Sequence, residues 1–270
     1  MSFYGPQHRA AMVVAKVAWL KAARSHPQPF GDDRERPNPQ RRQAIVTLFP
    51  SLAPLRPPPG IDYRLGDIRD TLTVRGAALV MADPPWGYDN EPGVANPEAN
   101  GIYGAMTDTE IATLLDLAYD CATPGGRLVC WATWPKLLEF LNAGGAGKRW
   151  EYVTGGAWLK LHSQGVGYHW LGRTEPVLVF VKRGAPAYRD TAHDLGNGHA
   201  SPREEHSRKP LDWLRGMVRR WTPSDALVLD LWAGLAPMAA ACKLEGRSYV
   251  GAEIDPARWA EGCRLVARAE

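Results

Sequence analysis

Seven short apolar segments, most of them separated by stretches with helical spacing, constrain the fold of this chain more than any other feature. They read as strands at 61–66 (IDYRLG), 77–83 (AALVMAD), 126–132 (GRLVCWA), 152–160 (YVTGGAWLK), 175–183 (EPVLVFVKR), 226–231 (ALVLDL) and 247–253 (RSYVGAE). Helices are expected to open at Thr107, with Glu110 completing a capping box, and to run over 135–141, 210–221, 237–244 and onward from Asp255-Pro256. In 210–221, Leu211, Leu214 and Val218 share one face. Alternation of this kind predicts an α/β fold, a mostly parallel sheet with helices on both faces. Strands 152–160 and 175–183 have no helix between them, so they are expected to pair antiparallel at an edge.

Residues 1–59 follow different rules. Val13, Val17 and Leu20 lie on one face of an expected helix at 8–26, and the segment from Pro27 to Pro59 then carries nine prolines and the run DDRER. Such a composition buries no core and reads as an extended connector. The folded domain is therefore expected over 60–270. Residues 1–60 hold nine Lys/Arg against Asp32, Asp33 and Glu35, net +6, while the remainder is net −3. A basic arm suits contact with a phosphate backbone, and a solvated charged extension accounts for it equally well.

No uncharged apolar run approaches the ~18 residues of a membrane span, and the start MSFYGPQHRAAMVV lacks the pattern of a secretory leader. A soluble, cytoplasmic protein without a membrane partner is expected. Cys121, Cys130, Cys242 and Cys263 form no Cys-x-x-Cys pair, so they are expected to be small buried apolar groups, with no metal site.

Three places carry chemistry. Asp83-Pro84-Pro85-Trp86 follows the apolar run AALVMA directly, at a strand end where ligands collect in open α/β sheets. The prolines fix φ and remove two N–H groups, so the Asp83 carboxylate and the Pro84 carbonyl can accept both hydrogens of an exocyclic amino group. Trp86 offers a face for a planar base. Next, Val228–Ala236 (VLDLWAGLA) reads as strand, tight turn and helix, with Glu253 19 residues after Gly234. That arrangement suits a nucleoside ligand whose ribose hydroxyls meet the acid. Ala236 and Met238 stand where a pyrophosphate site wants glycines, which favours a ligand without phosphates. Third, Arg208-Lys209 in HSRKP precedes a helix whose dipole opposes cations, pointing to an anion nearby.

Taken with GIYGAMTDTEI, LVCWAT, GAWLKL, GYHWLGRTEPVLVFVKRG and EEHSRKP, these segments resemble the MT-A70-like adenine N6-methyltransferases of the permuted β-class. The run VLDLWAGLAPMAAACKLEGRSYVGAEIDP is similar to the cofactor motif of bacterial β-class DNA aminomethyltransferases. The likeness spans about 61–268, with the catalytic motif ahead of the cofactor motif. It implies a Rossmann-like seven-stranded methyltransferase sheet in circularly permuted order, binding S-adenosyl-L-methionine and methylating adenine N6 in DNA. RNA adenine, cytosine N4 and a non-catalytic nucleic-acid-binding relative stay open, as does a homodimer.

By the same resemblance Asp83, Pro84, Pro85 and Trp86 are catalytic, and Tyr103 lies near the target base. Asp67 and Ile68 meet the adenine ring of the cofactor, Lys209 its methionine carboxylate and Glu253 its ribose, with Asp83, Asp230, Trp232 and Gly234 completing the pocket. Segments 87–106 and 161–174 would be its mobile walls. Trp232 replaces the family's usual Phe, and Ala236 a frequent second Gly.

Overall fold

A computed structural model describes residues 58–87, 106–143, 145–162, 169–202 and 208–270. The helix expected at 8–26, nearly all of the connector, Tyr103, and residues 88–105 and 163–168 of the expected walls lie outside the described residues. Residues 56–270 form one compact unit.

Among the described residues there are eight strands: β1 (Ile61–Leu65), β2 (Ala77–Ala82), β3 (Ala122–Trp131), β4 (Trp150–Leu161), β5 (Thr174–Lys182), β6 (Gly198–Pro202), β7 (Leu227–Asp230) and β8 (Ser248–Glu253). The helices are α1 (Asp108–Ala118), α2 (Trp134–Asn142), α3 (Leu211–Trp221), α4 (Pro237–Glu245) and α5 (Pro256–Arg268). The sheet order is β1-β8-β7-β2-β3-β5-β4-β6. Of these eight, only β5 runs against the rest, pairing antiparallel with both β3 and β4. The seven expected strands all occur, but the sheet has eight. The extra one, GHASP, has no apolar run and contains Gly and Pro, which an edge strand tolerates; it adds to β4 in parallel.

The central strands explain the sequence pattern. Leu79, Val80, Leu128 and Val129 are fully buried, because helices cover both faces and leave no solvent side to demand alternation. The expected capping box is formed: Glu110 N–H donates to Thr107 Oγ1 at 3.2 Å and Thr107 N–H to Glu110 Oε2 at 2.8 Å. All four cysteines are free and buried. Among the described residues no helix is long and apolar enough to cross a membrane.

One topological fact places the site. From β2 the chain crosses to β3 on one side, whereas from β7 it crosses to β8 on the other, and β2 and β7 are themselves neighbours. A crevice opens at such a reversal, beyond the carboxyl ends of the two strands. Asp83 follows β2 and Asp230 ends β7.

Candidate active site

A cavity of about 560 Å³ occupies that crevice, within the range for a small-molecule or cofactor site. Asp67, Ile68, Asp83, Pro84, Pro85, Trp86, Lys209, Asp230, Trp232, Gly234 and Glu253 all line it. Eleven of the twelve residues singled out in the sequence are thus gathered in one place; the twelfth, Tyr103, is outside the described residues.

The Asp83 turn is already partly bonded. Pro84 C=O accepts from Trp86 N–H at 2.9 Å, and Pro85 C=O from Met106 N–H at 3.1 Å. A carbonyl has two lone pairs, so Pro84 keeps one. Asp83 Oδ2 lies 2.9 Å from Lys209 Nζ. The Asp83 side chain keeps 38% of its surface open yet is enclosed by protein at longer range, and this enclosure raises its pKa while Lys209 opposes the rise. Trp86 differs from expectation. It is only 8% exposed and meets Phe140 edge to face, with ring centroids 5.1 Å apart. Little of its face remains for a base to stack on, because the ring completes the core beside β2.

Lys209 answers the anion inferred ahead of α3, and the protein itself supplies that anion. Its Nζ lies 3.0 Å from Glu175 Oε2 as well as beside Asp83, and Glu175 Oε1 takes Lys160 Nζ at 2.8 Å. The result is a chain of alternating charge, Asp83, Lys209, Glu175, Lys160, largely enclosed except at Asp83. Burial raises the Glu175 pKa, but Lys209 and Lys160 outweigh it and leave the group below its usual value. Burial disfavours the Lys209 charge, but Asp83 and Glu175 outweigh it and raise its pKa. The ammonium also stands 4.8 Å from the Trp131 ring centroid. Sequence reasoning does not single out Glu175, although an acid opening a strand as apolar as PVLVFV is a signal.

On the β7 side, Asp230 is 3% exposed and accepts from Tyr249 Oη at 3.0 Å. Burial pushes its carboxyl up to about 7, with Asp83 and Glu253 adding to the rise against the Tyr249 hydrogen bond. Tyr249 also escapes sequence reasoning. It reaches Asp230 because Gly251, two residues along the same face of β8, has no side chain; a Cβ there would collide with the Tyr249 hydroxyl. Glu253 closes β8, and its Oε1 accepts from Asp255 N–H at 2.7 Å. Its pKa is raised, first by burial, against hydrogen bonds from the Asp255 and Gly234 backbone.

The turn after β7 has the expected bend at Gly234, φ +57°, and a second at Ala236, φ +54°. The position that departs from a second glycine is therefore one that needs left-handed backbone. Asp67 caps the short 3-10 turn at Ile68–Thr71, its Oδ1 accepting from Arg69 N–H at 2.8 Å while Oδ2 pairs with Arg69 Nη1 at 2.9 Å. Ile68 is buried at the cavity wall. Arg258, on the first turn of α5, also lines the cavity.

The fold is a Rossmann-like, mostly parallel sheet with one antiparallel strand, of the kind seen in solved methyltransferases. Solved structures with this fold include the M1.HpyAVI complex with SAM (TM-score 0.58, 13% identity, 76% of this chain and 98% of that one). The "Putative DNA Modification Methylase" TTHA0409 of Thermus thermophilus, complexed with S-adenosyl-L-methionine, is another (TM-score 0.58, 19% identity, 77% and 93%). A third is the cytosine-N4-specific PvuII DNA methyltransferase (TM-score 0.61, 15% identity, 77% and 88%). In sequence, the chain is 23% identical over 195 residues to "Putative methylase YubD" of Escherichia coli (strain K12), covering 69% of this chain and 81% of that protein. The chain matches no protein-family model.

Proposed function

We propose that this protein transfers a methyl group from S-adenosyl-L-methionine to the N6 amino group of adenine in DNA. The observation that carries the reading is that the amino-group acceptors Asp83 and Pro84 share one cavity with the nucleoside-binding set Asp67, Ile68, Gly234 and Glu253. The fold shared with DNA methyltransferases supports the class of reaction and the polymer.

The lining fits the cofactor chemically. Asp83, Asp230 and Glu253 make the crevice acidic, which suits a ligand bearing a sulfonium and an ammonium. Glu253 accepts from the Asp255 and Gly234 backbone, and a carboxylate with about four lone-pair sites keeps capacity for a ribose hydroxyl. Lys209 carries three N–H donors; two are directed at Asp83 and Glu175, and one remains for a carboxylate. Bound here, the cofactor supplies an electrophilic methyl group.

The chain's own residues handle the nucleophile. The N6 lone pair of adenine is delocalised into the ring and is weakly nucleophilic. Asp83 and the free lone pair of Pro84 C=O accept its two hydrogens, letting the nitrogen become pyramidal and aim its lone pair into the cavity, and the hydrogen held by Asp83 leaves the methylated nitrogen as a proton to that carboxylate. Lys209 fixes the Asp83 carboxylate in place before substrate arrives, so the acceptor reorganises little as positive charge develops on nitrogen. A base inside a duplex cannot reach this crevice and must be flipped out or presented single-stranded. The carboxylate at Asp83, where N4-cytosine enzymes more often have Ser, favours adenine over cytosine.

Expression in a host without adenine methylation, followed by nucleoside mass spectrometry, tests the reading. N6-methyladenine that disappears with Asp83→Ala supports it. N4-methylcytosine, or methyl transfer to RNA alone, overturns it.

A further inference from the structure

The charges behind Asp83 extend further than holding one carboxylate requires. Lys209 alone would fix Asp83 at 2.9 Å, yet it also bonds Glu175 at 3.0 Å, and Glu175 takes Lys160 at 2.8 Å. Glu175, Lys209 and Lys160 each keep no more than 14% of their side-chain surface open. Burying ions is costly, and apolar residues of similar volume often serve stability as well. The two outer members therefore call for a role at Asp83 itself.

Register and packing bring the four groups together. β4 and β5 are antiparallel with Trp158 opposite Glu175, so Lys160, two residues beyond Trp158 on the same face, is the diagonal neighbour of Glu175. The rings of Trp131 and Trp158 meet edge to face with centroids 6.1 Å apart. Lys209 Nζ stands 4.8 Å from the first centroid and Lys160 Nζ 5.7 Å from the second. Each ammonium thus rests against an indole, with the Glu175 carboxylate between the two.

We infer that Glu175 is a positioning residue for methyl transfer: by bonding Lys209 it offsets the ammonium charge, so that Asp83 is held in place and still accepts hydrogen and proton strongly. This rests on the reading of Asp83 given above. A carboxylate closed against an ammonium alone is a neutral pair and responds weakly to positive charge developing on the amino nitrogen. A second carboxylate beyond the ammonium restores net negative charge behind Asp83, and in enclosed surroundings that charge is felt over several ångströms. Lys160 limits the effect from the far side.

The electrostatic directions agree with the geometry: Glu175 raises the Asp83 pKa, while Lys209 and Arg258 lower it. Asp230 of β7 and Cys130 of β3 also feel the Asp83 charge, and the groups acting on Glu175 are Lys209 and Lys160. Only Glu175 and Lys160 change in the comparison that follows, so the remaining groups form a common background.

The test measures methyl transfer to DNA by wild type, Glu175→Gln and Lys160→Met from pH 5 to pH 9. Saturating S-adenosyl-L-methionine keeps Asp230 charged and out of the profile. Glu175→Gln retains shape but leaves two cations behind Asp83; kcat should fall about tenfold, and the acid limb of kcat/KM for DNA should move to lower pH. Lys160→Met removes the far cation and should move that limb to higher pH. Titration of the aspartate carboxyls by 13C NMR, with Asp83→Asn identifying the Asp83 signal, reads the same two shifts without turnover. Opposite displacements in the two variants support the inference. Displacement in one direction by both, or lost activity with an unmoved profile and titration, overturns it and leaves Glu175 a structural role. If wild type methylates no adenine in DNA, the functional reading falls by itself, and the NMR titration still decides whether Glu175 sets Asp83.

Discussion

Lys209 Nζ stands 2.9 Å from Asp83 Oδ2 and 3.0 Å from Glu175 Oε2, so a single ammonium joins the carboxylate that follows β2 to one near the start of β5. Removing it leaves Asp83 without its cation and Glu175 with Lys160 alone. Lys209→Met should therefore destabilise the protein by about 3 kcal/mol, the low end for a broken buried pair because Asp83 is partly open. In the variant both carboxyl pKa values rise. The loss should thus be largest at alkaline pH and shrink as pH falls and the carboxyls protonate. Urea titrations at pH 5 and pH 8 measure it; an equal loss at both would contradict the pairing.

Asp230 gives the clearest pH dependence. Its carboxyl titrates near 7 in the folded protein, well above an unfolded aspartate. A raised folded pKa contributes stability that is present below about 4 and lost as pH rises through about 7. Asp230→Asn resembles the protonated form and keeps an acceptor for Tyr249. It should raise the melting temperature at pH 8 and change it little at pH 4. The gain at pH 8 is on the order of 4 kcal/mol. Thermal scans across that range check it.

The same group links protons to the proposed cofactor. A cationic ligand beside Asp230, Asp83 and Glu253 favours their charged forms, so binding near neutral pH should release protons and tighten as pH rises through about 7. Calorimetry in two buffers of different ionisation enthalpy reads the proton count directly. Proton uptake would contradict this placement of the ligand.

Glu253→Ala should weaken S-adenosyl-L-methionine binding by roughly 1.5–3 kcal/mol through loss of the charge-assisted bond that its remaining lone pairs can make. An unchanged dissociation constant would move the ribose elsewhere.

Ala236 is held at φ +54°, a left-handed conformation that strains an alanine by about 1–2 kcal/mol. Glycine removes the strain but is more flexible when unfolded, by about 0.5–1 kcal/mol. Ala236→Gly should therefore stabilise by about 0.5–1 kcal/mol, visible as a small rise in melting temperature.

Much of this arrangement can be read from the chain because local signals and global roles coincide in it. The fully apolar runs of β2, β3 and β7 reflect burial on both faces, and the residues that end β2, β7 and β8 point to the crevice without knowledge of sheet order. What escapes depends on contacts distant in sequence. Glu175 is a solitary acid until Lys209, 34 residues later, pairs with it. Tyr249 looks like an ordinary strand aromatic until Gly251 clears its path to Asp230. The short β6 is specified by its neighbour β4 and not by its own residues. Trp86 reads as an open face because its sequence position is that of a turn, but packing against Phe140 turns it into core.

The pairing of β1 with β8, Ile61 opposite Tyr249, has a kinetic consequence. Glu253 and the Gly66 amide that bonds to its carbonyl at 2.9 Å come together only when segments nearly 190 residues apart have met. Loop closure over that distance precedes any reward from the contacts, and parallel pairing of this kind is slow. Asp83 and its turn can therefore be in place on β2 well before the wall holding Glu253 arrives. Competence to bind a nucleoside should emerge as one of the last events of refolding, later than the bulk of the helical signal.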